Sequence, residues 1–246
     1  MTARLAAIWR HPVKGIGAEA LDAAELSPDG ALIGDRAWAL LHAAAPDSDA
    51  WQPRRNFLVV ASGPGLAAVS ARTEADGRIA LRHPERPPLS FAPETEADAL
   101  MAWVTPIWPA DRPAPARLIR APGHGMTDMP DPFVSIGSLS SLRALSQRAG
   151  MALDPRRFRI NLWVEGLPPW EEADAIGARW TVGGVPLDIA EPIGRCRAPE
   201  ANPETGRRDA ATNRLLEDAQ GTTDFGVYAR VAAPGTVRVG DAVKTG

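Results

Sequence analysis

Apolar residues recur in short, closely spaced runs separated by turn residues, a pattern of short strands rather than long helices. Leu5-Ala-Ala-Ile-Trp9 predicts a first strand ending at Arg10-His-Pro12, after which Lys14 sits in a turn beside Gly15 and Gly17. Leu21 to Leu26 predicts a second strand, closed by Ser27-Pro-Asp-Gly30, and Ala37 to His42 a third that leaves Gly34-Asp-Arg36. Asn56 to Ala61 and Leu66 to Ser70 are further strand candidates. Asp76-Gly77 marks a hairpin between a strand ending near Ser70 and Ile79-Ala-Leu81. So many short strands and turns point to a barrel or sandwich.

Residues 82–131 are proline-rich and hold one helix candidate, Glu94 to Val104, stopped by Pro106. The pattern then turns helical: Leu139, Leu142, Leu145 and Ala149 share one face, and Gly150 ends the run. Ile160 to Glu165 alternates like a strand, and Pro168 to Glu172 is a turn or short helix. Arg179 to Val182 and Val185 to Ala190 form a hairpin across Gly183-Gly184, while Asn213 to Ala219 is a short helix. Phe225 to Ala232 and Thr236 to Val239 close the chain as strands. The fold class is mainly β with short helices (α+β), divided at the proline- and glycine-rich stretch into residues 1–115 and 116–246.

Composition narrows the function. A net charge of −3 gives no basic field for nucleic acid. No apolar run is long enough to span a bilayer, and the N-terminal run breaks at Arg10 and Pro12 before a signal core forms. The chain reads as cytoplasmic and without a membrane partner. One cysteine cannot build an intrachain disulfide, a zinc knuckle or an iron–sulfur cluster alone.

That cysteine, Cys196, follows the strand-like Val185 to Ala190 and opens an irregular loop running to Gly206. Arg195 and Arg197 flank it, and such cations suit a thiolate, which is a nucleophile and a soft metal ligand. A lone cysteine in an intracellular protein is usually a small buried hydrophobe, the competing account. Lys14, Arg36, Arg157, Arg159 and Arg195 stand at element ends and are candidates to converge on an anion, with Ser138, Ser140 and Ser141 at a helix start; surface salt bridges are the competing account. No phosphate-loop or dinucleotide fingerprint is present, and His11, His42, His83 and His124 lack the close pairing of a zinc site.

These stretches together resemble the MOSC-domain proteins, named for molybdenum cofactor sulfurase C-terminal domains, preceded by the MOSC N-terminal β-barrel domain. The resemblance rests on His11-Pro-Val-Lys14, Gly34-Asp-Arg36-Ala-Trp38, Pro132-Phe133 through Ser141-Leu142, and Arg157-Phe-Arg159-Ile-Asn161. Arg195-Cys196 with Asn202-Pro-Glu-Thr-Gly206, and Phe225-Gly-Val-Tyr228-Ala-Arg230 leading to Gly235–Asp241, complete it. It implies an N-terminal β-barrel packed on a C-terminal MOSC β-barrel. It further implies molybdenum on Cys196, with Lys14, Arg36, Ser138, Ser141, Arg159, Asn161 and Tyr228 lining the molybdopterin and its phosphate. The implied activity, similar to that of the amidoxime-reducing branch, is reduction of small N-hydroxylated substrates, with Cys196 in the catalytic role. Electrons would come from an external ferredoxin- or flavin-reductase-like protein. A sulfur-carrier or cofactor-carrier module without turnover is the alternative, and pyridoxal phosphate binding a further association at family level. Gly15 stands where relatives often carry Ser, Pro199 replaces a usual Thr, and Ala201-Asn202-Pro203 replaces Val-Asp-Pro.

Overall fold

The computed structural model describes residues 3–246. Its main feature is a curled eight-stranded sheet. Across it the order is Val243–Lys244, Arg179–Val182, Val185–Gly194, Asp224–Val231, Phe133–Ser138, Leu162–Glu165, Arg4–Arg10 and Glu19–Leu21. Neighbours run antiparallel except Phe133–Ser138 beside Leu162–Glu165, which are parallel. A parallel pair needs a crossover, and helix Leu139–Ala149 supplies it. Ser138 caps that helix, its side chain accepting from the Ser140 and Ser141 amides, and Gly150 closes it at φ 65°.

Alternation decides which residues reach the core. Val134 and Ile136 face the main hydrophobic cluster with Leu5, Ile8, Leu162, Val164, Trp180 and Leu187. Burying each such side chain contributes about 1.5–3 kcal/mol. The first strand, Arg4–Arg10, hydrogen-bonds to Leu162–Glu165, so chain from before the proline-rich stretch completes a sheet built mostly after it.

Three smaller sheets of three strands surround this one. They join Pro115–Arg120, Trp38–His42 and Val13–Lys14; Gly235–Arg238, Ala23–Ser27 and Ala31–Leu32; and Ser70–Thr73, Ile79–His83 and Arg86–Phe91. Helix Ala97–Val104 seals a second cluster by burying Leu100, Trp103 and Val104. Among the described residues, no helix is long and apolar enough to cross a membrane.

Several local expectations change. Leu66 to Ser70 is not a strand: Pro64 starts a 3-10 turn that runs to Ala68, because its fixed φ suits a first helical position. Asn56 to Ala61 contributes only a single bridge, Leu41 to Phe57. Lys14 lies not in a turn but in a two-residue strand parallel to Trp38–Ala39. Asp22 divides the run from Leu21 to Leu26 between two sheets.

Candidate functional site

A cavity of about 420 Å³ opens where the two halves of the chain meet. Lys14, Gly15, Arg36 and the loop around Asp128 line it from one side, and Phe133, Ser135, Arg159, Asn161, Glu191, Arg195, Cys196 and Tyr228 from the other. Cys196 stands two residues beyond strand Val185–Gly194, partly exposed. Arg36 and Arg159 both adopt left-handed backbone, at φ 50° and 51°. Non-glycine residues hold such angles only where surroundings enforce them. The Arg36 amide donates to His11 O at 2.6 Å, and its carbonyl accepts from the Met126 amide at 2.8 Å. Gly15 sits at φ 75°, and a Cβ there would lie 2.3 Å from Leu58 O. A serine side chain has no room on this backbone.

The cations are held in two ways. Lys14 is buried, and its Nζ donates to Asp128 Oδ1 at 2.6 Å and to Met126 O at 2.9 Å. Burial lowers its pKa, while the Asp128 carboxylate opposes that shift. For Asp128, burial pushes upward, but the Lys14 charge and hydrogen bond together with the Arg54 and Arg36 charges outweigh it, so the carboxyl is held below its ordinary range. Arg36 donates from Nη1 to Asp35 and from Nη2 to Arg159 O at 2.9 Å. Asp35 also accepts from the His11 amide at 2.7 Å, and His11 Nδ1 lies 3.3 Å away. Burial alone would raise Asp35, but Arg36 and the His11 contacts keep it below the usual carboxylate range. His11 is pushed down to about 3, first by burial and then by Arg159 and Arg36.

Arg159 and Arg195 lack such counter-ions. Arg159 Nη1 donates to Gly17 O at 3.1 Å, and its buried Nη2 has no partner. Burial and the nearby Arg36 charge bring its pKa down to about 9. Arg195 donates only to carbonyls, from Nε to Phe225 O at 2.8 Å and from Nη1 to Phe158 O at 2.9 Å. Burial lowers it to about 10, with Tyr228 and Cys196 pulling the other way. Among the described residues, no carboxylate lies within ion-pair distance of either guanidinium. A cavity with uncompensated, partly buried guanidiniums favours an anion.

The expected site residues divide accordingly. Lys14, Arg36, Arg159, Asn161, Cys196 and Tyr228 come together in the cavity. Asn161 serves as a brace: its Oδ1 accepts from Ser135 Oγ at 2.7 Å and its Nδ2 donates to Trp9 O at 3.1 Å. Ser138 and Ser141 lie elsewhere. Ser138 caps its helix, and Ser141 Oγ donates to Glu172 Oε2 at 2.8 Å and accepts from the Trp170 amide. Burial keeps the Glu172 carboxyl above its ordinary range. Side chains alternate along a strand, so Phe133 and Ser135 face the cavity while Ser138 points away. Ser135 is the hydroxyl that the cavity contains. Once Phe133–Ser138 is known to be a strand, alternation from Phe133 selects it. Asp128 acts through Lys14, distant in sequence, whereas Asp35 adjoins Arg36 within Gly34-Asp-Arg36 and only its contact with His11 is distant.

Residues 124–244 match the MOSC domain and residues 2–110 match the MOSC N-terminal beta barrel domain. The chain belongs to the MOSC-domain family. That family is associated with the molybdenum cofactor. No curated protein matches the chain. Among solved structures, the YuaD protein of Bacillus subtilis is similar over 99% of this chain and 94% of its own, at 14% identity and a TM-score of 0.48. YiiM from Geobacillus stearothermophilus is similar over 46% of this chain and 53% of its own, at 16% identity and a TM-score of 0.35. Likeness at that level does not bear on substrate or activity. Among the described residues, no three His, Cys, Asp or Glu side chains gather as a metal cage. A metal in this MOSC cavity would need most of its ligands from a bound group, with Cys196 as the protein's soft donor.

Proposed function

We propose that the cavity binds the molybdenum cofactor and that the protein reduces small N-hydroxylated compounds, using electrons from an external carrier protein. The observation that carries this reading is the placement of the chain's only cysteine in one cavity with two guanidiniums that lack counter-ions. The donor set fits the group. Cys196 Sγ is a soft ligand for the metal, and Arg159 and Arg195 answer the anionic part. Lys14 and Arg36 border the same space, each already neutralised by a carboxylate. Ser135 and Asn161 form the wall in place of Ser138 and Ser141. When bound, the cofactor supplies a two-electron centre for cleaving an N–O bond.

The chain's own part is to hold and orient. Asp35 fixes Arg36, which in turn holds the carbonyl of Arg159, so the two left-handed arginines support each other. Asp128 holds Lys14 at the cavity edge. In the overall reaction an uncharged hydroxylamine takes up two electrons and two protons, and leaves as the corresponding amine and one water.

Molybdenum measured by mass spectrometry in protein from a cofactor-competent host, beside Cys196→Ser, tests the reading. Near-stoichiometric metal in the parent and its loss in the variant are expected. Equal metal in both would remove Cys196 as ligand, and none in either would overturn the cofactor reading. Bound metal without reduction of any N-hydroxylated compound by a chemically reduced carrier would favour a cofactor-carrier role instead.

A further inference from the structure

Cleaving an N–O bond requires a proton for the departing oxygen, because hydroxide is a poor leaving group. Arg36 is committed to Asp35, and Arg159 and Arg195 donate to main-chain carbonyls, where their charge answers the anion. The Lys14 ammonium is committed to Asp128 and the Met126 carbonyl, and the ionised Asp128 has no proton to give. Cys196 is the residue assigned to the metal.

One neutral O–H remains that has the right character. The chain has a single tyrosine and a single cysteine, and both line this cavity. Tyr228 lies in strand Asp224–Val231, directly across from Glu191 of strand Val185–Gly194, the strand that delivers Cys196. Its ring is stacked on Phe133, with centroids 5.4 Å apart and planes 20° apart. Arg230 covers the other partner of that stack, 4.6 Å from the Phe133 ring centroid. Packing on this scale limits ring motion.

We propose that Tyr228 is the catalytic acid of this site, its Oη giving the proton to the oxygen that leaves the N–O bond. The inference rests on the N–O reduction proposed above. Two electrons come from the reduced carrier, one proton passes from Tyr228 Oη to the leaving oxygen, and the second reaches nitrogen from solvent. Oxygen takes the electron pair of the broken bond and leaves as water, the two electrons from the carrier go to nitrogen, and the phenolate recovers its proton from solvent. The surroundings suit both states. Burial raises the Tyr228 pKa, and the Asp128 and Glu191 charges add to this, so the phenol stays protonated at neutral pH. Arg195 and Arg36 act in the opposite direction and stabilise the transient phenolate.

The experiment compares Tyr228→Phe with the parent, both loaded with metal, using viologen reduced by dithionite as donor. Tyr228→Phe is expected to retain its molybdenum and KM while kcat falls about 100-fold, the scale of a lost general acid. In the parent, kcat should decline at alkaline pH. Because Tyr228 is the only tyrosine, its ionisation can be followed separately by tyrosinate absorbance in metal-loaded parent protein. The midpoint of that titration and of the kinetic decline should coincide. A metal-loaded Tyr228→Phe protein with parental kcat, or two midpoints that disagree, overturns the assignment and leaves the N–O reductase intact. A metal-loaded parent that reduces nothing overturns both. If the variant loses its metal, the two midpoints in the parent still decide the matter.

Discussion

Lys14 and Arg36 enter the cavity with counter-ions, whereas Arg159 and Arg195 enter it without them. The first two come from the N-terminal half, and each meets a carboxylate, Asp128 or Asp35. The second two come from the C-terminal half and donate to main-chain carbonyls. A neutralised cation shapes a wall at little electrostatic cost, while an unpaired one raises the energy of the empty site and lowers that of the filled one. The balanced pair is therefore scaffold, and the unbalanced pair is where binding energy for an anion resides.

Removing a counter-ion should test this contrast most severely. Asp35→Ala leaves Arg36 unpaired and takes the acceptor from the His11 amide, both in a buried setting. The expected loss is about 3–5 kcal/mol, read by denaturant unfolding. A loss below about 1 kcal/mol would mean that the Arg36 charge is satisfied without Asp35 and that the two pairs do not differ.

Acid should act next most strongly, through His11. Its folded pKa of about 3 lies below the ordinary 6.5. The unfolded chain therefore takes up a proton first as pH falls. Stability from the neutral ring is full above pH 6.5 and is lost from there towards 3, by about 1.4 kcal/mol per pH unit. His11→Gln should lack that component, so unfolding curves of parent and variant should converge as pH falls. Parallel curves would refute it.

The smallest effect should have the opposite sign. Arg159→Met removes an unpaired charge and loses one hydrogen bond to Gly17 O. The metal-free protein is expected to become more stable by about 1 kcal/mol, while molybdenum loading falls. Destabilisation of the size seen for Asp35→Ala would place Arg159 with the scaffold.

Legibility from sequence follows the same division between local and distant causes. The helix Leu139–Ala149 is readable because its apolar spacing and Gly150 are local signals. So is the hairpin at Gly183-Gly184. Strand Phe133–Ser138, central to the sheet, escapes a reading by periodicity, because it is buried on both faces and shows no alternation. Arg86–Phe91 is hidden by two prolines, which an edge strand tolerates. In the site, the motif residues Lys14, Arg36, Arg159 and Cys196 are legible, as is their meeting. Ser138 and Ser141 are misplaced because a run of serines does not reveal which hydroxyl caps a helix and which faces a cavity. The counter-ion Asp128 borders a turn in the sequence, and its role depends on Lys14, which only tertiary structure brings near; Asp35 adjoins Arg36, but its contact with His11 is likewise tertiary.

The placement of Arg4–Arg10 between Leu162–Glu165 and Glu19–Leu21 has a bearing on biosynthesis. During vectorial translation its partner on one side, Leu162–Glu165, is made more than 150 residues later. Until then the opening strand has an unsatisfied edge and must avoid wrong pairings. Closing so long a loop is a feature of high contact order and slow assembly. A strand made long before its partner is thus among the last to be locked in place, and the nascent chain has a built-in reason to depend on chaperones.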